Sequence, residues 1–133
     1  MKLVSLKNDL YARYFISYSR RDVSFVERLK HSLRSVSSHI WHDIDQIYVG
    51  DKWRNEIQIG IQKADELILI VSNASIKSEA VLYEIKLATE HDKAIRPILI
   101  SDVAYNDMPK ELSSIQYLDL RKSTQDPYAC STI

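Results

Sequence analysis

The run LILIV at 67–71 is the feature that most restricts the fold. Five consecutive β-favouring apolar residues with no polar alternation read as a strand covered on both faces. Such a strand belongs inside a sheet with helices packed above and below it, and the flanking segments supply them. Trp53, Ile57, Ile61 and Ala64 recur at i, i+4, i+8 and i+11, which predicts an amphipathic helix over 53–64. After a polar loop at 72–77, a second helix is predicted from Ser78 to about His91.

The same alternation extends in both directions. YFISY at 14–18 is a short apolar, aromatic run and reads as a buried first strand. A polar turn, Ser19-Arg20-Arg21-Asp22, follows it. Asp22 is expected to cap the next helix by accepting from its free first-turn amides, and that helix runs to about Ser35 with Val26, Leu29 and Leu33 as its stripe. A second, edge strand is expected at 39–43 and a long loop at 44–52. A fourth strand is expected at 95–100, where Pro97 suits a bulge or a strand start better than a central ladder position. A short helix is expected after Pro109, and a fifth strand at 115–120.

The pattern is β-α-β-α-β-α-β-(α)-β. It implies a parallel sheet with right-handed crossovers. At 133 residues the chain is one domain, and five strands suggest a flavodoxin-like three-layer sandwich of order 2-1-3-4-5. Residues 1–12 read as an N-terminal lead-in to a domain at 13–133. The ending RKSTQDPYACSTI looks like a helix that stops early, as if cut from a longer chain.

Composition removes several classes of function. Lys+Arg and Asp+Glu are each 18, without the basic excess of a nucleic-acid binder. The single cysteine, Cys130, rules out an internal disulfide framework and fits a reducing compartment. No run approaches the ~20 apolar residues of a membrane span, and the N-terminus lacks a signal-peptide core. The expectation is a cytoplasmic protein, or the cytoplasmic domain of something larger. With 2 glycines there is no glycine-rich phosphate cradle. His39 and His42 point to opposite faces of a strand, and no zinc spacing occurs, so no metal is expected.

In an open parallel sheet the ligand crevice lies at the C-terminal strand ends, where the strand order reverses. That places Tyr18, Ser19 and Arg20 after the first strand opposite the loop and helix start after the third, with Asp43 and Asp45 alongside. Ala80, Glu84 and Ala88 share one helix face, next to an apolar stripe of Val81, Ile85 and Ala88. Glu84 is thus expected near the rim, beside the core-facing stripe. A carboxylate there suits bonding a sugar hydroxyl, taking a proton or stabilising an oxocarbenium-like cation. Spacing alone favours the plainer reading, a solvated helix glutamate paired with Arg or Lys. Arg20 and Arg21 match phosphate or are ordinary surface charges. Ser72, Ser75 and Ser78 read as loop and cap residues rather than nucleophiles, because no base is paired with them. Trp41 and Trp53 read as packing residues.

Three boxes in order resemble the TIR (Toll/interleukin-1 receptor-like) domain, in its bacterial style. YFISYS-x-x-D at 14–22 resembles the first box. IWHDIDQIYVGDKW at 40–53 looks like the second strand and BB loop. LILIVSNASIKSEAVLYE at 67–84 resembles the third strand and the Ser-x-Trp-Cys-x-x-Glu motif, with Ala80-Val81 in place of Trp-Cys. Tyr83 and Trp53 are aromatic candidates to replace the missing tryptophan.

The resemblance implies cleavage of NAD⁺ at the nicotinamide–ribose bond. The products would be nicotinamide and ADP-ribose or a cyclic isomer, with NAD⁺ as substrate and no cofactor. The setting it implies is bacterial anti-phage defence signalling. It assigns catalysis to Glu84 and nucleotide contact to Tyr18, Ser19 and Arg20, with Asp43 and Ser78 beside them. It assigns assembly to the BB loop with Asp45, Tyr48, Gly50 and Trp53. The implied partners are other TIR protomers, as a homo-oligomer or filament, and a fused or partner sensor domain. A non-catalytic TIR–TIR interaction module is the alternative. A nucleoside deoxyribosyltransferase-like enzyme shares the fold class, but the BB-like loop argues against it. A response-regulator receiver would need an aspartate where Ser72 stands.

Overall fold

A computed structural model describes residues 13–33, 39–41 and 53–122. The lead-in at 1–12, the loop holding Asp43, Asp45, Tyr48 and Gly50, and the expected last helix lie outside the described residues. Five strands form one sheet: β1 (Arg13–Ser17), β2 (His39–Trp41), β3 (Glu66–Val71), β4 (Ala94–Leu99) and β5 (Leu118–Asp119). Their order is β2-β1-β3-β4-β5, and every pairing is parallel. Among the described residues three α-helices accompany them: α1 (Val23–Leu33), α2 (Trp53–Lys63) and α3 (Glu79–Glu90).

Alternation along the strands divides the core into two layers. Tyr14, Ile16, Ile68, Ile70 and Ile98 meet Phe25, Val26 and Leu29 of α1 on one face. Phe15, Leu67, Leu69 and Val71 meet α2 and α3 on the other, through Ile57, Ile61, Val81, Ile85 and Ala88. All six residues of β3 are buried. The central strand therefore has the double cover that its unbroken apolar sequence demands. The first four strands were legible to within a residue or two at most ends. The fifth is much shorter than the expected span of 115–120; of the second, His39–Trp41 is strand and 42–43 lie outside the described residues.

Pro97 corrects an expectation. It lies inside β4, opposite Leu69 of β3, and not at a bulge or strand start. The Ile100 amide donates to the Val71 carbonyl of β3, and the Leu99 carbonyl accepts from Leu120 on the β5 side. Backbone groups alternate in direction along a strand, so position 97 faces the β5 side. Pairing with β5 begins only at Ile98 and Leu118. The missing N–H therefore costs no bond to β3, and the proline meets the same tolerance as one on an edge strand.

Entry to α3 and exit from it are both chemically specified. The Ser78 hydroxyl accepts from the Val81 amide at 3.3 Å, as an N-cap should. At the other end Asp92 takes φ 54°. Its amide donates to Thr89 O at 3.2 Å, and the Lys93 amide to Ala88 O at 2.9 Å. This pair of bonds is a Schellman motif closed by aspartate where glycine is usual; Asp is among the few other residues that enter this region readily. Helix α3 is thus fixed at both ends, which fixes the depth of every residue it carries.

The two-sided core carries the stability. Ile68, fully buried on β3, contacts the α1 layer. Ile68→Ala should cost about 2–5 kcal/mol in denaturant unfolding, whereas Leu82→Ala, 40% exposed on α3, should stay within about 0.5 kcal/mol.

Candidate active site at the β1–β3 switch point

The order of the sheet reverses between β1 and β3, and the candidate residues gather at the C-terminal ends of these two strands. Helix α3 lies across the α2–α3 face of the sheet and turns Val81, Ile85 and Ala88 into it. Glu84 falls among these residues and is only 2% exposed. The reading of Glu84 as a solvated surface charge is therefore overturned. Its place next to the stripe of Val81, Ile85 and Ala88 is itself part of the buried face.

A buried carboxylate is costly without hydrogen-bond donors. Ser17, the last residue of β1, supplies one: its Oγ donates to Glu84 Oε1 at 2.6 Å, and both residues are buried. Ser17 is fully buried and follows Phe15 on the same strand face. Its position in the alternation aims it at α3. The sequence reading passed over Ser17 in favour of its neighbours. The available signal was a polar residue inside an apolar strand, in phase with Phe15.

A second bridge crosses the same strand ends on the opposite face. The Ser72 hydroxyl, directly after β3, donates to Asp22 Oδ2 at 2.5 Å. Asp22 was expected to cap the following helix. Ser19 takes the capping role instead, accepting from the Arg21 amide at 3.3 Å at the start of a 3₁₀ turn, Arg20–Asp22, that leads into α1. Burial pushes the Asp22 carboxyl above its ordinary value of 3.8, and the Ser72 hydrogen bond opposes that shift. Ser72 and Ser75 also satisfy one another's backbone. The Ser72 amide donates to Ser75 Oγ at 2.9 Å, and the Ser75 amide to Ser72 Oγ at 3.1 Å. These bonds brace the loop, as expected of its serines.

The other expected contacts are distributed as follows. Ser19 and Arg20 lie on the turn at the rim, with Arg20 exposed. Ser78 is half-buried at the start of α3 and occupied as its cap. Tyr18 is 4% exposed and packs in the α1 layer, on the face away from Glu84. Trp53 begins α2. Ala80 is half-buried one turn before Glu84, and Tyr83 is a partly buried member of the α2–α3 layer. Asp43, Asp45, Tyr48 and Gly50 lie outside the described residues.

The TIR-domain family model matches residues 15–132. The chain belongs to the TIR domain family. Over 97 residues, 68% of the chain, it is 30% identical to the NAD(+) hydrolase TcpC of Escherichia coli O6:H1, covering 32% of that protein. It is also 30% identical over 73 residues to the 2′ cyclic ADP-D-ribose synthase BtTIR of Bacteroides thetaiotaomicron, covering 25% of it. The chain thus spans about a third or less of these relatives' length.

Among solved structures, it superposes on the TIR domain of the Toll-related receptor TRR-2 from Hydra magnipapillata. The TM-score is 0.71 at 18% identity, covering 92% of this chain and 94% of that one. A metazoan TIR-STING receptor from C. gigas gives a TM-score of 0.62 at 20% identity, with 95% of this chain against 42% of that one. These likenesses establish the TIR fold. Among the described residues no helix is long and apolar enough to cross a membrane.

Asp22 makes a pH signature. Its native carboxyl binds a proton more tightly than the unfolded chain's, so ionising it costs stability. The cost is full above the native pKa and gone below 3.8, the unfolded value. Asp22→Asn removes it. The variant should be more stable than wild type at pH 7, and the two denaturation midpoints should converge as the pH falls below about 4.

Proposed function

We propose that this TIR domain cleaves NAD⁺ at the nicotinamide–ribose bond, with Glu84 as its catalytic carboxylate. The observation that carries the reading is the Ser17–Glu84 hydrogen bond: a buried carboxylate, held at the switch-point end of β1 in a sheet of this order. Burial of a carboxylate at this cost is poorly explained as structural decoration, since an apolar residue in the same stripe would pack without penalty. The two bacterial relatives named above support the choice of NAD⁺.

The bond order of the reaction is simple. The glycosidic C–N bond breaks heterolytically, and its electron pair leaves with neutral nicotinamide. Positive charge develops on the ribose, where a fixed negative charge stabilises it. Water then adds, giving ADP-ribose and a released proton; alternatively an adenine nitrogen closes the ring with loss of a proton. Glu84 supplies the negative charge. Ser17 holds the carboxylate in one orientation, so little reorganisation is needed as charge develops. Because Glu84 is 2% exposed, the ribose reaches it only when the rim residues shift. Activity that depends on assembly with other TIR protomers fits that requirement.

Within the same reading, Ser19 and Arg20 face the nucleotide from the rim, with Ser78 opposite. Tyr18 acts from the far side of the sheet, by seating the turn rather than by touching ligand. Asp43 is assigned to the nucleotide, and the loop with Asp45, Tyr48 and Gly50, together with Trp53, to assembly. NAD⁺ is substrate, and no cofactor or metal is invoked. The family resemblance supports a cytoplasmic place in bacterial anti-phage signalling. The TIR-STING receptor, of which the match covers 42%, offers the parallel for a fused or partner sensor domain.

The concentrated domain incubated with NAD⁺, with products separated by chromatography, should release one nicotinamide per NAD⁺ consumed. Intact NAD⁺ under conditions where light scattering shows assembly would favour the interaction-module alternative.

A further inference from the structure

The Ser17–Glu84 bridge accounts for one side of the switch point and leaves a second half-buried carboxylate unexplained. Asp22 is drawn from the helix it was expected to cap and bonds, across 50 residues of chain, to Ser72. The two bridges start from opposite ends of one short segment. Ser17 lies before the turn and bonds α3; Asp22 closes the turn and bonds the loop that leads into α3. Residues 18–21, including the rim cations Arg20 and Arg21, are therefore suspended between two anchors on the same β3–α3 unit.

Each anchor is itself braced. Ser72 is held by its reciprocal bonds with Ser75. Asp22 is held by the backbone bond from its amide to Ser19 O at 2.8 Å. A turn tied only at the strand would pivot about Tyr18. One tied at both ends keeps a fixed distance to the loop and hence to Glu84. Placing a carboxylate there has a cost: burial disfavours the Asp22 charge, and the Ser72 bond offsets this only in part. A neutral residue would close the turn more cheaply if stability were all that mattered.

We propose that the Asp22–Ser72 hydrogen bond is a clasp, and that Asp22 is a positioning residue which holds the arginine-bearing turn in register with Glu84 during cleavage of the dinucleotide. This rests on the NAD⁺-cleaving reading of Glu84. The role belongs to the hydrogen bond rather than to the charge. An asparagine at 22 keeps an acceptor for the Ser72 hydroxyl; an alanine does not.

The test is a double-mutant cycle read by NAD⁺ kinetics, with amide exchange on the same proteins. Asp22→Ala should lower kcat about 10- to 100-fold, the effect of a small misplacement near a reacting centre, and change KM much less. Asp22→Asn should restore kcat to within about threefold of wild type. The pair Asp22→Ala/Ser72→Ala should be no worse than Ser72→Ala alone, because both changes break the clasp and Ser72→Ala removes the Ser75 amide's acceptor besides. Amides at 19–22 and 73–78 should exchange faster in Asp22→Ala while those of β1 and β3 stay protected.

Failure of asparagine to rescue, effects of the two alanine variants that multiply, or faster exchange throughout the domain would each overturn the clasp. If wild type cleaves no NAD⁺, the catalytic reading fails by itself. The exchange pattern then still decides whether the clasp holds the turn.

Discussion

A buried carboxylate needs a donor, and this domain places that donor on its first strand. Glu84 lies within the apolar stripe by which α3 grips the sheet, and Ser17 meets it from β1. Neither residue suits its place without the other. A serine in a strand otherwise filled by Tyr14, Phe15 and Ile16 would leave a buried hydroxyl unsatisfied, and a glutamate between Val81 and Ile85 would carry charge into the core. Together they convert two local violations of apolar patterning into one polar junction. Junctions of this kind, where packing rules are broken at a cost, are where function is to be sought.

The rest of the C-terminal rim is tied strand to strand by the same kind of bond. Asp22 and Ser72 join the end of β1 to the end of β3. Asn73 donates to the Asp102 backbone carbonyl at 3.0 Å, which joins the loop after β3 to the loop after β4. Arg121, beyond β5, reaches Asp102 at 2.8 Å and Asp119 at 2.6 Å, and holds the Asp119 carboxyl down at about 2. The last of these bonds is exposed and contributes little to stability. Their common effect is geometric: loops that would otherwise move independently share partners across the sheet. The strand ends thus present a laced edge, with Glu84 on one face and Asp22 on the other.

Much of this was legible in the chain. The unbroken run at 67–71 implied a doubly covered strand, and alternating periodicities implied the parallel order that follows. What was misread came from two sources. Strand pairing decides how much of an apolar segment becomes strand, so β5 reduced to Leu118–Asp119 and Pro97 settled inside β4, where neighbours rather than propensity set the tolerance. Side-chain phase decides which face a residue serves. Counting along β1 separates Ser17 from Tyr18 and puts Ser17 in phase with Phe15, on the α3 face. Glu84 shows the limit of helical spacing most plainly. Periodicity placed it at the margin of a stripe, and only the packing of α3 against the sheet shows that the margin is buried.

The most direct test of the central claim is the rate of nicotinamide release by Glu84→Gln beside wild type at matched concentration, with thermal unfolding of both. Glutamine keeps the shape and an acceptor for Ser17 while removing the charge that would stabilise the cation. Loss of release by at least about a hundredfold, in a variant that unfolds cooperatively near or above the wild-type temperature, is the result this account requires. Undiminished release would place the chemistry on another residue and leave Glu84 a buried structural carboxylate.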